Sequence, residues 1–324
     1  MRDGRGREIN YLRISATDLC NLRCRYCMPA DGVKKKRHEE ILSYEELLRI
    51  AGAAVGLGVR LIRLTGGEPL VRPGLVGFVR ALAGLPGIED LSLTTNGVLL
   101  GPLADELKQA GLKRVNISLD TLKPERYAEL TGCDLWSAAW TGVEAALAAD
   151  LRPVKLNAVI IRGVNDDDIA DLAGLTRQYP LDVRFIELMP IGLGQVYGQD
   201  GLITSDEMLE RLRDALGASL APTTSDGAGP AAYYRLPDAR GRIGFIAPMS
   251  HSFCETCNRV RLTAEGRIYP CLASEVAYDL GQLVRAGADD ERLQAALTEA
   301  TAAKPACHEM DEHWVDRPMH RIGG

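Results

Sequence analysis

The chain has 324 residues, with 38 Lys and Arg against 44 Asp and Glu, for a formal charge of −6. Apolar residues make up 46% and charged residues 25%, ordinary globular proportions that exclude a disordered tail, a fibre or a low-complexity scaffold. The acidic balance gives no support to broad nucleic-acid or anionic-membrane binding. No uncharged apolar run reaches the roughly 18 residues of a membrane span, and the start, Met1–Glu8, lacks the apolar core of a signal peptide. A cytoplasmic protein with neither nucleic-acid nor membrane partners is expected. In a reducing compartment its eight cysteines point to metal or redox chemistry rather than disulfides.

Strand-like runs lie at about 9–15, 59–65, 88–95, 112–119, 153–160 and 181–188, with helical patterns between them. Ser43 and Glu46 form a capping box for a helix through about Leu57. Pro73 suits the first turn of the next helix, and further helices are expected at about 101–111, 136–150 and 165–179. The alternation implies parallel strands with right-handed crossovers. Six units fall short of the eight of a closed barrel. The expected fold is therefore α/β, a partial, open (β/α)6 barrel, with a flat doubly wound sheet as the competing arrangement. After about 190 the regularity ends. A helix at about 204–217 and a loop-like stretch, 222–230, precede short strands at 231–236, 242–247 and 259–269, the last interrupted by a turn at Ala264-Glu265-Gly266. A helix near 288–303 follows, and the end, 317–324, reads as a mobile tail. This organisation divides the chain into an α/β unit, 1–220, and a small β-containing C-terminal appendage, 221–324, that carries the second cysteine group.

Parallel strands covered on both faces are normally apolar throughout. Here Ser92, Thr94 and Asn96 alternate with Leu91, Leu93 and Thr95; Asn116, Ser118 and Asp120 alternate with Val115, Ile117 and Leu119; Lys155 and Asn157 alternate with Val154, Leu156 and Ala158. Period two places each polar set on one face, which in a barrel is the lumen. A polar lumen near strand C-termini is a ligand cavity.

Cys20, Cys24 and Cys27 form a C-x3-C-x2-C run just after the first strand. A structural zinc site takes four protein ligands, whereas three thiolates on a cubane iron–sulfur cluster leave one iron open for chemistry. This spacing resembles the signature of the radical S-adenosylmethionine (SAM) family, and the resemblance extends through Thr65-Gly66-Gly67-Glu68-Pro69. It implies a [4Fe-4S] cluster whose open iron chelates SAM and whose electron releases a 5′-deoxyadenosyl radical.

A second group, Cys254, Cys257 and Cys271, again offers three thiolates, and a zinc ribbon completed by Cys307 or His308, or a fourth ligand from Cys133, stays open. With Arg259 and Arg261 embedded in it, the group is similar to the C-terminal motif of the GTP 3′,8-cyclase family, which acts first in molybdenum-cofactor biosynthesis; the similarity runs from about Leu12 to Gly323-Gly324. It implies a second [4Fe-4S] cluster on Cys254, Cys257 and Cys271. It also implies SAM contacts at Tyr26, Gly67, Ser118 and Met189, and GTP contacts at Arg13, Arg63, Thr94, Lys155, Arg259 and Arg261, with Arg184 a further candidate. Arg259 and Arg261 would also assist catalysis electrostatically. The tail would reach the active site. An external electron donor and product handover to cyclic pyranopterin monophosphate synthase follow from the same resemblance; a homodimer stays open. The physical case agrees: an acidic protein binds a triphosphate only through a local cationic cluster, and arginine forks suit phosphate. Leu61 stands where some relatives carry a basic residue. The competing readings are another radical SAM enzyme with an auxiliary cluster, such as a peptide-modifying maturase, and a non-catalytic iron–sulfur redox sensor.

Overall fold

The computed structural model describes residues 1–217, 219–224, 229–310 and 315–323. Strands β1 (Tyr11–Ser15), β2 (Leu61–Thr65), β3 (Asp90–Thr95), β4 (Arg114–Ser118), β5 (Val154–Ile160) and β6 (Leu181–Glu187) fall within the six expected runs. They lie side by side in sequence order, all parallel. Sequential order with right-handed crossovers keeps every helix on one face, whereas a doubly wound sheet reverses strand order at its centre. The flat alternative is therefore wrong, and the sheet is a partial barrel.

Helices α1 (Tyr44–Gly56), α2 (Leu75–Ala83), α3 (Ala104–Gln109), α4 (Pro124–Thr131), α5 (Trp136–Ala148) and α6 (Ile169–Gln178) form the outer layer. In α1 the Ser43 side chain accepts from the Glu46 N–H, and Glu46 accepts from Ser43 N–H, as the capping box requires. Its buried residues Leu47, Ile50, Ala51 and Ala54 repeat at i, i+3, i+4 and i+7; Leu75, Phe78, Val79 and Leu82 do the same in α2. These stripes cover the outward strand residues, such as Leu12, Ile14, Ile62, Leu64, Val115 and Ile117, all fully buried. Pro73 does not start α2. Gly74, in the left-handed region at φ 82°, is its N-cap, so the proline stands before the helix.

Beyond β6 come α7 (Ser205–Leu216), β7 (Ala221–Thr223), β8 (Ala232–Arg235), β9 (Ile243–Ile246), β10 (Arg259–Leu262), β11 (Arg267–Tyr269), β12 (Tyr278–Asp279), α8 (Leu280–Arg285), α9 (Asp290–Ala302) and α10 (Met319–Ile322). The C-terminal strands join the barrel sheet at both edges, in the order β12-β11-β10-β1-β2-β3-β4-β5-β6-β9-β8-β7. β10 runs parallel to β1, and β9 parallel to β6. The tail is not free as read from composition: α10 buries His320 and Ile322. Gly324 and part of the 222–230 stretch lie outside the described residues. No described helix is long and apolar enough to cross a membrane.

Candidate active site

One cavity of about 310 Å³ opens at the C-terminal ends of the strands, and both cysteine groups line it. The first group lies on the loop after β1. The end of β2 straps this loop in place: Gly67 N–H donates to Thr17 O (2.8 Å) and Glu68 N–H to Leu19 O (2.8 Å). A Cβ on Gly67 would stand 2.4 Å from Leu19 O, so only glycine permits this approach. The Glu68 carboxylate is fully buried and accepts from Leu70 N–H, Thr95 Oγ1 and Asn96 N–H at 2.6–3.0 Å. Burial lifts its pKa to about 7 against those three bonds. Asn96 in turn donates to Asn21 Oδ1 beside Cys20 (2.7 Å). Tyr26 donates to Asp120 (2.7 Å), whose other oxygen accepts from Val159 N–H, and burial raises that carboxyl to about 6. Cys133 backs the loop through Asn21 O, 3.6 Å from its sulfur.

Burial pushes the Cys20 thiol up to about 11 and Cys27 to about 12, and the neighbouring cysteines add to the shift of Cys24 and Cys27. Three converging thiols that cannot ionise alone are a donor set for a cationic metal centre, which compensates all three thiolates at once.

In the second group Cys257 stands two residues before β10 and Cys271 two residues after β11, and the tight turn at Gly266 (φ 90°) lets these strands pair antiparallel. Lys304, buried, donates to Arg259 O (2.8 Å) and Pro270 O (2.7 Å), between the two cysteines. Burial opposes ionisation of Cys257, but Arg259 and Lys304 outweigh it and bring the thiol down to about 7. A positively framed thiolate set again fits a metal centre.

Parallel pairing aligns Arg261, Arg13 and Arg63 across β10, β1 and β2. Arg184 enters from β6 and Arg259 from the start of β10, and all five line the cavity. Burial, then the neighbouring cations, lowers Arg261 and Arg13; burial lowers Arg63 to about 10, as it does Arg261. For three of them the hydrogen-bond partners among the described residues are neutral: Ser92 Oγ for Arg63 (3.2 Å), Asn157 Oδ1 for Arg184 (2.8 Å) and the Gly323 carbonyl for Arg261. The Arg259 Nε is buried without a partner among them. Buried cations held by neutral groups are costly without an anion. Arg63, Arg184 and Arg261 thus present to the cavity buried positive charge that an anionic ligand would offset.

Tyr26, Gly67, Thr94, Ser118 and Met189 line the same cavity. Lys155 does not. It sits one layer deeper, 6% exposed, with Nζ 5.5 Å from the Tyr233 ring centre, and burial with the charges of Arg184 and Arg114 brings its pKa to about 7. Sequence reasoning did not nominate Glu68, Asp120, Lys304 or His320. Asp120 stood on the polar strand face, which was signal enough. His320 Nδ1 lies 3.1 Å from Cys27 O. The tail thus touches the first cysteine loop and, through Gly323, Arg261.

Residues 14–176 match the profile of the Radical SAM superfamily, and residues 181–310 match that of Molybdenum Cofactor Synthesis C. A GTP 3′,8-cyclase of Moorella thermoacetica is 52% identical over the whole of both chains, and one of Pelotomaculum thermopropionicum is 51% identical, also over the whole of both. The chain belongs to the GTP 3′,8-cyclase family. As a radical SAM family member it uses a [4Fe-4S] cluster and SAM. Among solved structures, Streptococcus suis SuiB bound to S-adenosylmethionine superposes with a TM-score of 0.57 at 15% identity, over 85% of this chain and 63% of that one. SuiB bound to its precursor peptide SuiA gives 0.56 at 17%, over 90% and 67%. These likenesses show the fold alone, and this cyclase-family chain spans under two thirds of the first SuiB chain.

Proposed function

We propose that the protein converts GTP to 3′,8-cyclo-7,8-dihydro-GTP with SAM and a reductant, the first step of molybdenum-cofactor biosynthesis. The observation that carries this reading is that five arginines and both cysteine triads line one cavity, in a chain half identical to GTP 3′,8-cyclases. Cys20, Cys24 and Cys27 hold the cluster that binds SAM, and Tyr26, Gly67, Ser118 and Met189 seat SAM. When bound, the two groups supply a 5′-deoxyadenosyl radical as hydrogen abstractor. Cys254, Cys257 and Cys271 hold a second [4Fe-4S] cluster at the substrate end. Arg13, Arg63, Arg184, Arg259 and Arg261 neutralise and orient the triphosphate, Thr94 adds a hydroxyl contact, and Lys155 completes the charge balance from below. Arg259 and Arg261 also stabilise charge that develops on the substrate. Orientation in a water-excluding site limits the radical to one hydrogen. Residues 1–220 then serve as the radical-generating unit and 221–324 as the substrate unit. The setting is cytoplasmic, with an external electron donor, a homodimer as the assembly to test, and handover of product to cyclic pyranopterin monophosphate synthase.

Anaerobic reconstitution followed by reductant, SAM and GTP tests the reading. Equimolar deoxyadenosine and cyclised nucleotide are expected. Deoxyadenosine without a GTP-derived product refutes the cyclase activity, and iron near about four per chain rather than about eight refutes the second cluster.

A further inference from the structure

Cys307 and His308 belong to neither cysteine triad, yet the fold delivers both to one of them. After α9 the chain turns back through Lys304, Pro305 and Ala306, and this turn is fixed from two sides. Lys304 anchors it to Arg259 and Pro270. From the N-terminus, the Arg7 guanidinium donates to Cys254 O (2.6 Å) and to Ala306 O (3.1 Å), joining the turn to the backbone of Cys254. Asp3 holds Arg7 in that position.

As a result Cys254 Sγ, Cys307 Sγ and an imidazole nitrogen of His308 lie within 4.8 Å of one another. Two thiolates on one zinc ion, each about 2.3 Å from it, stand no more than about 4.6 Å apart. The spacing is close to that of donors around a single ion. The imidazole also has its tautomer fixed. Its Nε2–H donates to Pro248 O (2.8 Å), which leaves the lone pair on Nδ1, where the Met310 N–H approaches only to 3.5 Å. A carbonyl that fixes the tautomer is the usual outer partner of a metal-bound histidine. Cys307 is exposed and outside the cavity lining, so an ion reaches it from solvent.

We propose that the cluster-free chain binds one soft divalent cation of the zinc class through Cys254, Cys307 and His308, with water completing the tetrahedron. Both thiols ionise on binding and two protons leave, so a dication with two thiolates and a neutral imidazole is a neutral unit. Cys254 serves both this site and the second triad. The ion and the second cluster therefore exclude each other, and in that one respect the inference rests on the function proposed above.

Cobalt(II) is the probe, titrated anaerobically into metal-free full-length protein. Tetrahedral d–d bands and thiolate charge transfer are expected from the wild type and from Cys257→Ser. Cys307→Ser should bind one ion fewer per chain, and His308→Gln should bind about tenfold or more weakly. Full stoichiometry with an unchanged spectrum in Cys307→Ser, or loss of the site in Cys257→Ser, overturns the proposal. X-ray absorption on wild type with one equivalent of zinc needs no variant: a mixed sulfur and nitrogen shell supports the site, and a sulfur-only shell overturns it. In reconstitution, zinc-preloaded wild type should take up about four iron while Cys307→Ser takes up about eight. Uptake of about four without any zinc counts against the two-cluster reading alone, and the cobalt and absorption results still decide this site.

Discussion

Lys155 gives the sharpest test of how the cavity recognises its ligand. Burial and the charges of Arg184 and Arg114 lower its pKa to about 7. At pH 8 the free enzyme therefore holds this lysine mostly neutral, about nine molecules in ten. A bound triphosphate supplies opposite charge and draws the pKa back toward its ordinary value of about 10.4. Binding at pH 8 should then take up about 0.9 proton. Because the complex holds the extra proton, affinity falls as pH rises between the two pKa values. From pH 8 to pH 9 the loss is about tenfold, or about 1.4 kcal/mol. Arg63 and Arg261, lowered to about 10, stay mostly protonated from pH 8 to pH 9 and add little to this uptake. Calorimetry of GTP binding to cluster-loaded enzyme, in two buffers of different ionisation enthalpy, reads the uptake directly. Lys155→Met should abolish both the uptake and the slope. Uptake below about 0.2 proton in the wild type, or equal uptake in the variant, refutes the reasoning.

Gly67→Ala places a methyl 2.4 Å from Leu19 O and should cost tenfold or more in SAM affinity, measured by equilibrium dialysis. Unchanged affinity would show that the loop shifts freely. Gly77, in α2, has nothing within 4 Å of an added Cβ, so Gly77→Ala should stabilise the fold by about 0.5–1 kcal/mol in urea unfolding. Asp182 and Arg242 form a buried bidentate pair, with contacts of 3.1 and 2.8 Å. Asp182→Ala removes the carboxylate from a guanidinium that keeps Thr224 O and the Tyr233 ring, and should cost about 1.5–3 kcal/mol; a loss under about 1 kcal/mol would show that those contacts compensate the cation.

The six barrel strands and the polar lumen were legible because a strand exposes its pattern within a few residues: Ser92, Asn116 and Lys155 sit between apolar neighbours that face the helices. The two cysteine triads were legible for the same reason, each being local or nearly so. Helix α4 was within reach too, since Pro124 stands at its first position and Gly132 caps it in the left-handed region (φ 68°). Lys304, the Arg7 clamp and the docked tail had no such signal. Lys304 follows an ordinary helix and Arg7 lies in an ordinary polar leader. Their roles exist only once β10 has paired with β1. His320 read as part of a frayed end because an isolated four-residue helix has no propensity to form, and it is the contact with Cys27 that holds it.

That pairing of β10 with β1 also sets the order of assembly. Asn258 and Asn10, joined at 2.8 Å beside the strand ends, are 248 residues apart in the chain. During synthesis β1 leaves the ribosome early and keeps one bare edge until β10 emerges. The contact order is high, and the unpaired edge invites association with other chains throughout that interval. Nor can the arginine row form sooner, because Arg261 arrives with the same strand that closes the edge. The charge of Arg261 is thus added beside Arg13 and Arg63, already paired across β1 and β2, only when β10 docks.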